Sequence, residues 1–205
     1  MRSLFAVALR VTLLTLVVTG LLYPLAVTGL AVVLFPGRAA GSWLSDERGQ
    51  VVGSELLAQG FSSPSYFQPR PSAAGTAGYD ATASGASNLG PTSKKLRNGA
   101  ADVLRKLETE NPAAPRPVPA ELVTASASGL DPHLSPEAAD WQVPRVAAAR
   151  GLSEERVRAV VSAHTEGRTF GFLGEPRTNV LVLNLALDRQ FGRASRPPPP
   201  PPAGH

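Results

Sequence analysis

The sequence predicts an α/β (α+β) fold: a single soluble domain tethered by one N-terminal transmembrane helix. Two observations carry this expectation. Val11 to Phe35 is a run of 25 residues without a charge, amide or imidazole, flanked by Arg10 and Arg38. Beyond Pro36 and Gly37, which follow it, 168 residues alternate short strand-like segments with amphipathic helical ones, enough for one domain with a real core.

As a helix the apolar run reaches roughly 37 Å, enough to cross a hydrocarbon core of about 30 Å. Gly20, Pro24 and Gly29 lie inside it. They read either as breakers tolerated in lipid or as small residues that admit a neighbouring membrane helix. Ala39, Ala40 and Gly41 offer a peptidase site, but a secretory apolar region spans only about 7 to 15 residues, which favours a retained anchor. Arg2 and Arg10 precede the run and lean the N-terminus toward the cytoplasm, with the following domain on the outer face. The expected organisation is a short N-terminal cytoplasmic segment at 1–10, the membrane helix at 11–35, an extracytoplasmic domain at 38–190 and a proline-rich tail at 191–205.

All 16 acidic residues and 18 of the 20 basic ones lie beyond the run, so this part is nearly balanced and carries no nucleic-acid footprint. Cysteine is absent, which excludes disulfides, thiolate metal sites and a cysteine nucleophile.

In chain order, Val51-Val52 reads as a short strand and Ser54 to Gln59 as one or two helical turns closed by Gly60. Phe61 to Thr92 is rich in Gly, Ser, Pro and Ala, yet Phe61, Tyr66, Phe67 and Tyr79 run through it. Ring anchors of that kind predict an ordered, functional loop. A helix follows, with Leu96, Ala100, Val103, Leu104 and Leu107 on one face, ending at Asn111-Pro112. After a proline connector, Leu122-Val123 is expected as a strand and Ser126 to Pro132 as a turn. Ser135-Pro136-Glu137 starts a helix, with a hydroxyl cap, a proline at the first position and an acid in the first turn. Pro144 is expected to interrupt it, with a second piece stopping at Gly151. Ser153-Glu154-Glu155 opens another helix with Val157, Val160, Val161 and His164 on its apolar face. Phe170 to Pro176 is a glycine-rich turn, Val180 to Leu187 a central strand running into a short helix near Asp188. The six prolines after Arg196 predict a disordered polyproline II tail.

Chemistry is sparse. Gly85 to Gly90 has the glycine separation of a phosphate loop but Pro91 and Thr92 where lysine and a hydroxyl residue are needed, and it misses a nucleophile elbow by one residue. His133, His164 and His205 are too scattered for a metal site, and Asp131 beside His133 serves a turn. No catalytic or metal-binding residue is expected. An anchored hydrolase using Ser87 and an anchored binding module stay open as alternatives.

Longer motifs are more specific. Tyr66-Phe67 with Arg70-Pro71-Ser72-Ala73-Ala74-Gly75, then Ser84-Gly85-Ala86-Ser87-Asn88-Leu89-Gly90-Pro91-Thr92, resemble the C subunit of the Kdp potassium-transporting P-type ATPase. Val123 to His133, Gln142, Arg145-Val146-Ala147, Ala149-Arg150-Gly151, His164-Thr165 and Leu173 to Asp188 continue that resemblance in order. Ala86 stands where the family usually has a glycine, and the proline tail is foreign to the pattern. The resemblance implies a non-catalytic accessory subunit of a high-affinity potassium import complex. Its implied partners are a channel-like A subunit, an ATP-hydrolysing B subunit and a small single-span subunit in the cell (inner or plasma) membrane. It also implies a catalytic chaperone that raises the ATP affinity of the B subunit, with no tightly bound cofactor of its own. Residues implied at a nucleotide or partner contact are Ser128, Gly129, Gln142 and Arg145. The family-motif loop comprises Tyr66, Phe67, Arg70, Pro71, Ser72, Ser84, Gly85, Ser87 and Asn88. A domain on the outer face cannot touch cytoplasmic ATP, so direct nucleotide contact and the expected orientation exclude each other; assembly and gating over the potassium entrance is the alternative role.

Overall fold

The computed structural model describes residues 2–193, and the chain divides into two compact units, Met1–Trp43 and Leu44–His205. The expected proline tail lies outside the described residues.

The first unit is helical: α1 (Arg2–Val17), a π-helical turn (Val18–Leu22), α2 (Tyr23–Leu34) and the short α3 (Pro36–Ala39). Ser3–Leu34 forms one 32-residue helix long and apolar enough to cross a membrane. It extends back through Arg10 beyond the apolar run, because nothing in the preceding residues breaks a helix. The π-turn has an identifiable cause. Pro24 lacks an N–H and its ring crowds the carbonyl four residues earlier, at Gly20, and widening that turn relieves the crowding. Thr19 donates its hydroxyl to the Thr15 carbonyl at 2.8 Å, one turn back along the helix.

The second unit opens with a hairpin of β1 (Trp43–Ser45) and β2 (Val51–Ser54). Asp46 Oδ1 accepts from the Arg48 and Gln50 amides and closes the turn. The helical turns expected over Ser54 to Gln59 do not form. The Ala58 amide donates to the Leu130 carbonyl at 2.9 Å, and the Glu55 carbonyl accepts from Asn179 Nδ2 at 2.7 Å, so tertiary partners replace helical ones. After the long loop comes α4 (Lys94–Glu110), capped by the Ser93 hydroxyl. The strand expected at Leu122-Val123 is instead a 3₁₀ turn (Ala120–Leu122), with the Leu122 and Val123 amides bonded three residues back and Leu122 buried.

The remaining elements build the core: β3 (His133–Leu134), α5 (Pro136–Arg150), α6 (Glu154–Ala163), β4 (Thr165–Glu166), β5 (Arg177–Asn179) and α7 (Val180–Phe191). The three strands form an antiparallel sheet in the order β3-β5-β4, with Leu134 opposite Thr178 and Thr178 opposite Thr165. The α5 start is as expected, with Ser135 Oγ accepting from the Ala138 amide. Pro144 does not interrupt α5. Its missing N–H removes one helical bond, but Trp141, Val143, Val146 and Ala147 are buried around it, and that packing outweighs a penalty of about 3 kcal/mol. Gly151 ends the helix at φ 65°.

The expected strand at Val180 to Leu187 is also corrected: the segment is helical, and the strand is only Arg177–Asn179. Asn179 turns strand into helix by accepting the Val182 amide as N-cap. Helix α7 buries one face, Val180, Leu181, Leu183, Asn184 and Leu187, but its half-buried positions Val182, Leu185 and Ala186 are apolar too, so the sequence of the run shows no helical periodicity. With Phe67, Leu134, Trp141, Val146, Val157 and Val161 it forms one core cluster. His164 sits at the core edge, its Nδ1 2.9 Å from the Val160 carbonyl.

Candidate functional site

The loop after β2 reaches the core at Phe67, which is fully buried, yet residues 64–68 have no strand beside them. Their backbone groups need partners all the same. Side chains from α5 and α7 supply them. Arg145 Nη1 donates to the Pro64 and Tyr66 carbonyls at 2.7 and 3.1 Å. Arg150 Nε donates to the Ser65 carbonyl at 2.7 Å. Asn184 accepts from the Phe67 amide and donates to the Phe67 carbonyl at 2.8 and 2.9 Å, and Gln142 does the same for Gln68 at 2.8 and 2.9 Å. Five consecutive carbonyls are thus held by four side chains, a substitute for a neighbouring strand.

These clamps are interlocked. Gln142 Oε1 also accepts from Arg145 Nη2 at 2.7 Å, and Arg150 Nη2 pairs with Asp188 at 2.8 Å. Asp188 Oδ2 accepts the Tyr66 hydroxyl at 2.8 Å, and the Arg150 guanidinium lies 4.9 Å from the Tyr66 ring centroid. Burial holds Arg145 below the usual guanidinium range, an effect that the nearby Glu110 carboxylate opposes. Burial raises the Tyr66 phenol, reinforced by its hydrogen bond to Asp188.

A second set of contacts ties the motif loop to residues 125–131. Arg70 reaches the Ala125 carbonyl at 3.4 Å and Asp131 at 3.5 Å. Ser72 Oγ donates to the Gly129 carbonyl at 2.6 Å and accepts from the Tyr79 amide at 2.8 Å. Tyr79, its phenol raised by burial, donates to the Arg70 carbonyl at 2.9 Å. The Ser128 carbonyl accepts from Gly85 N at 2.8 Å and Ser84 Oγ at 3.1 Å. Gly129 has φ 68°, and a Cβ there would stand 2.7 Å from both Ala74 N and the Gly85 carbonyl, so only glycine fits. Ser87 is exposed, Pro71 lines a cleft beside α4, and the positive φ of this stretch falls on Asn88 at 50°.

The structure therefore brings Tyr66, Phe67, Gln142 and Arg145 into one network, and Arg70, Ser72, Ser84, Gly85, Ser128 and Gly129 into another. Asp131 closes its turn by accepting the His133 amide. Sequence reasoning did not single out Asn184, Arg150 or Asp188 for this site. The signal for Asn184 was present: an amide inside an apolar run needs a buried partner.

A third feature is the tip between β4 and β5. Phe170, Phe172 and Leu173 are 84%, 70% and 50% exposed, although Thr169 and Leu173 pair across the turn and Arg168 bridges Glu175 at 2.6 Å. The turn is fixed while its apolar side chains stand in solvent.

With this geometry in hand, the chain can be set beside known proteins. The family described as K+-transporting ATPase, c chain, matches residues 5–189, which takes in the apolar helix, both loop networks and α7 up to Arg189. This chain belongs to the family of K+-transporting ATPase C chains. It is similar to the potassium-transporting ATPase KdpC subunit of Myxococcus xanthus, 68% identical over 192 residues that cover 94% of this chain and 90% of the relative. The KdpC subunit of Rhodospirillum rubrum is 57% identical over 173 residues, 84% and 89% of the two chains. That of Geobacter metallireducens is 50% identical over 182 residues, 89% and 95%. The KdpC resemblance read from the motifs is thereby shown.

Proposed function

We propose that this KdpC-family chain acts as a non-catalytic accessory subunit that stabilises an ATP-driven potassium import complex and raises the ATP affinity of the ATP-hydrolysing B subunit through that assembly. ATP belongs to the complex rather than to this chain. The observation that carries the reading is the engagement of Gln142 and Arg145 with the 64–68 backbone: both are buried, and their donors already have carbonyl partners on their own chain. Side chains in that state position a surface rather than wait for a phosphate. Ser128 and Gly129 likewise offer their carbonyls to the motif loop.

In this reading the single apolar helix lies in the bilayer beside the channel-like A subunit and the small single-span subunit. The soluble domain faces outward, and the rigid apolar tip at Phe170 to Leu173 meets a partner subunit. Exposed aromatic clusters on a fixed turn are what protein interfaces bury.

The test is Gln142→Ala with Arg145→Ala in the complex. Recovery of assembled complex should fall, while the surviving complex keeps its ATP concentration for half-maximal hydrolysis. Normal assembly with a raised ATP requirement would overturn the reading and restore direct nucleotide contact.

A further inference from the structure

The apolar helix has a phenol at its centre. Tyr23 is the thirteenth of the 25 residues from Val11 to Phe35, so twelve residues of the run lie on either side of it. At 1.5 Å per residue that is about 18 Å of helix in each direction, more than half of a hydrocarbon core of about 30 Å. With the helix in the bilayer, as proposed above, Tyr23 stands at mid-depth, and its side chain is far too short to bring the hydroxyl to either headgroup layer. Tyrosines of membrane helices collect instead at the two interfaces, where the ring lies in lipid and the hydroxyl is wet. Tyr23 is exposed on its own chain, and among the described residues nothing accepts from its hydroxyl.

The turn before it supplies the complementary group. Val18–Leu22 is the π-helical turn, and the Tyr23 amide donates to the Val18 carbonyl, five residues back. Pro24 has no amide to donate. The Thr19 carbonyl thereby loses both donors that a helix offers it, four and five residues further on. The Thr19 hydroxyl is already given to the Thr15 carbonyl at 2.8 Å, so it serves neither free group. Helical side chains lean toward the N-terminus, which carries the Tyr23 ring over the turn that holds Thr19. Gly20 belongs to that same turn, and a Cβ there would meet only Leu16 Cδ1 at 3.7 Å, so the position is open to a neighbour. A free donor, a free acceptor and a notch without a side chain thus lie within one turn at mid-depth.

We infer that the Tyr23 hydroxyl and the Thr19 carbonyl form a polar docking point for a neighbouring membrane helix of the transporter complex, one that presents an asparagine or glutamine side chain at that depth. A carboxamide carries an acceptor oxygen and a donor NH2 side by side. The oxygen takes the Tyr23 hydroxyl, and the NH2 reaches the Thr19 carbonyl. An ionised carboxylate would satisfy the hydroxyl and leave the carbonyl bare, and an ammonium the reverse, so the neutral amide is the group that fits both. Hydrocarbon offers these two groups no water, which is why a partner has to supply their hydrogen bonds. The inference rests on the proposed placement of this helix among the other membrane subunits and names a contact that fixes it there.

Tyr23→Phe keeps the ring and removes only the hydroxyl. The variant should stay in the membrane through alkaline carbonate extraction, while recovery of the complex in mild detergent falls. Interhelical hydrogen bonds of this kind correspond to a loss of about three- to fifteenfold in association. For the partner, p-benzoylphenylalanine in place of Tyr23, in a chain coexpressed with the other subunits, should attach on illumination to a membrane-spanning segment of another subunit. Mass spectrometry should find an asparagine or glutamine within one helical turn of the attachment point. Unchanged recovery of Tyr23→Phe overturns the inference. So does attachment to a second copy of this chain, to lipid alone, or to a segment without such an amide. Release of the unaltered chain by carbonate would overturn the placement in the bilayer and the role of Tyr23 together, whereas retention of that chain alongside any of the other failures removes only the role of Tyr23.

Discussion

Asn184 and Phe67 are joined by a reciprocal pair of hydrogen bonds across 117 residues of sequence, the amide of one residue's side chain lying against the other's backbone as a strand would. Both residues are almost fully buried. Gln142 repeats the arrangement at Gln68, so two helices hold consecutive residues of a loop that has no sheet to join. The motif loop is consequently fixed by the core and not by its own secondary structure.

Asn184→Leu keeps the volume and removes the pairing. The Phe67 amide and carbonyl would then be buried without partners, and the expected loss is about 2 to 4 kcal/mol. Chemical denaturation of the full-length protein in detergent measures it. A loss under about 0.5 kcal/mol, the range of an unremarkable surface change, would mean the loop is held by other contacts.

Gly129→Ala and Gly151→Ala separate conformational strain from steric conflict. Both glycines have positive φ, 68° and 65°, but a Cβ at 151 meets nothing within 4 Å, whereas at 129 it would press on Ala74 and Gly85 backbone. The expected losses are about 1 kcal/mol at 151 and about 2 to 4 kcal/mol at 129, where overpacking adds to the left-handed penalty. Equal losses would show that the loops at 74, 85 and 129 yield freely.

Local signals were legible in the sequence and tertiary ones were not. Ser135-Pro136-Glu137 announced α5 because capping depends on adjacent residues alone. Val180 to Leu187 was misread because its half-buried positions, Val182, Leu185 and Ala186, are as apolar as its buried face, so the run shows neither period; Asn179, a good N-cap, was the residue that could have decided it. Pro144 was given too much weight because the packing that holds α5 together comes from distant elements. At the site, the motif residues of the 66–88 loop and Gln142 and Arg145 could be picked out. What Gln142 and Arg145 bond to could not, since their partners are backbone atoms about 80 positions away.

The two tyrosines of the loop give a pH dependence with a definite sign. Tyr66 and Tyr79 are both raised above 10.0, chiefly by burial, so the unfolded chain loses these phenolic protons first. Their contribution is fully present below pH 10 and is lost as pH rises through the folded-state values. Unfolding midpoints should therefore fall above pH 10, and the fall should be shallower in Tyr79→Phe than in the unaltered chain. Identical slopes would remove Tyr79 from the explanation.

Orientation is tested with protease on intact spheroplasts. An outward-facing domain predicts digestion within residues 38 to 205 without lysis, because among the described residues only the apolar helix at Ser3–Leu34 is long and apolar enough to be shielded by a bilayer. Complete protection until lysis would place the domain in the cytoplasm and reopen direct contact with ATP.

The apolar tip separates a folding role from an assembly role. Phe170 and Phe172 contribute little to the core, being 84% and 70% exposed, so Phe170→Ser with Phe172→Ser should change stability by no more than about 0.5 kcal/mol. If a partner subunit covers them, two aromatic anchors are lost from an interface, and such truncations weaken association by about 2 kcal/mol or more each. Copurification of the transporter complex should then fall while the isolated variant keeps its unfolding midpoint. Gly171 and Gly174 hold the turn at φ 82° and 77°, and leaving both in place keeps the backbone shape constant between the two proteins. A variant that assembles normally would show that the tip faces solvent in the complex, and one that loses stability as well would show that the rings support the hairpin itself.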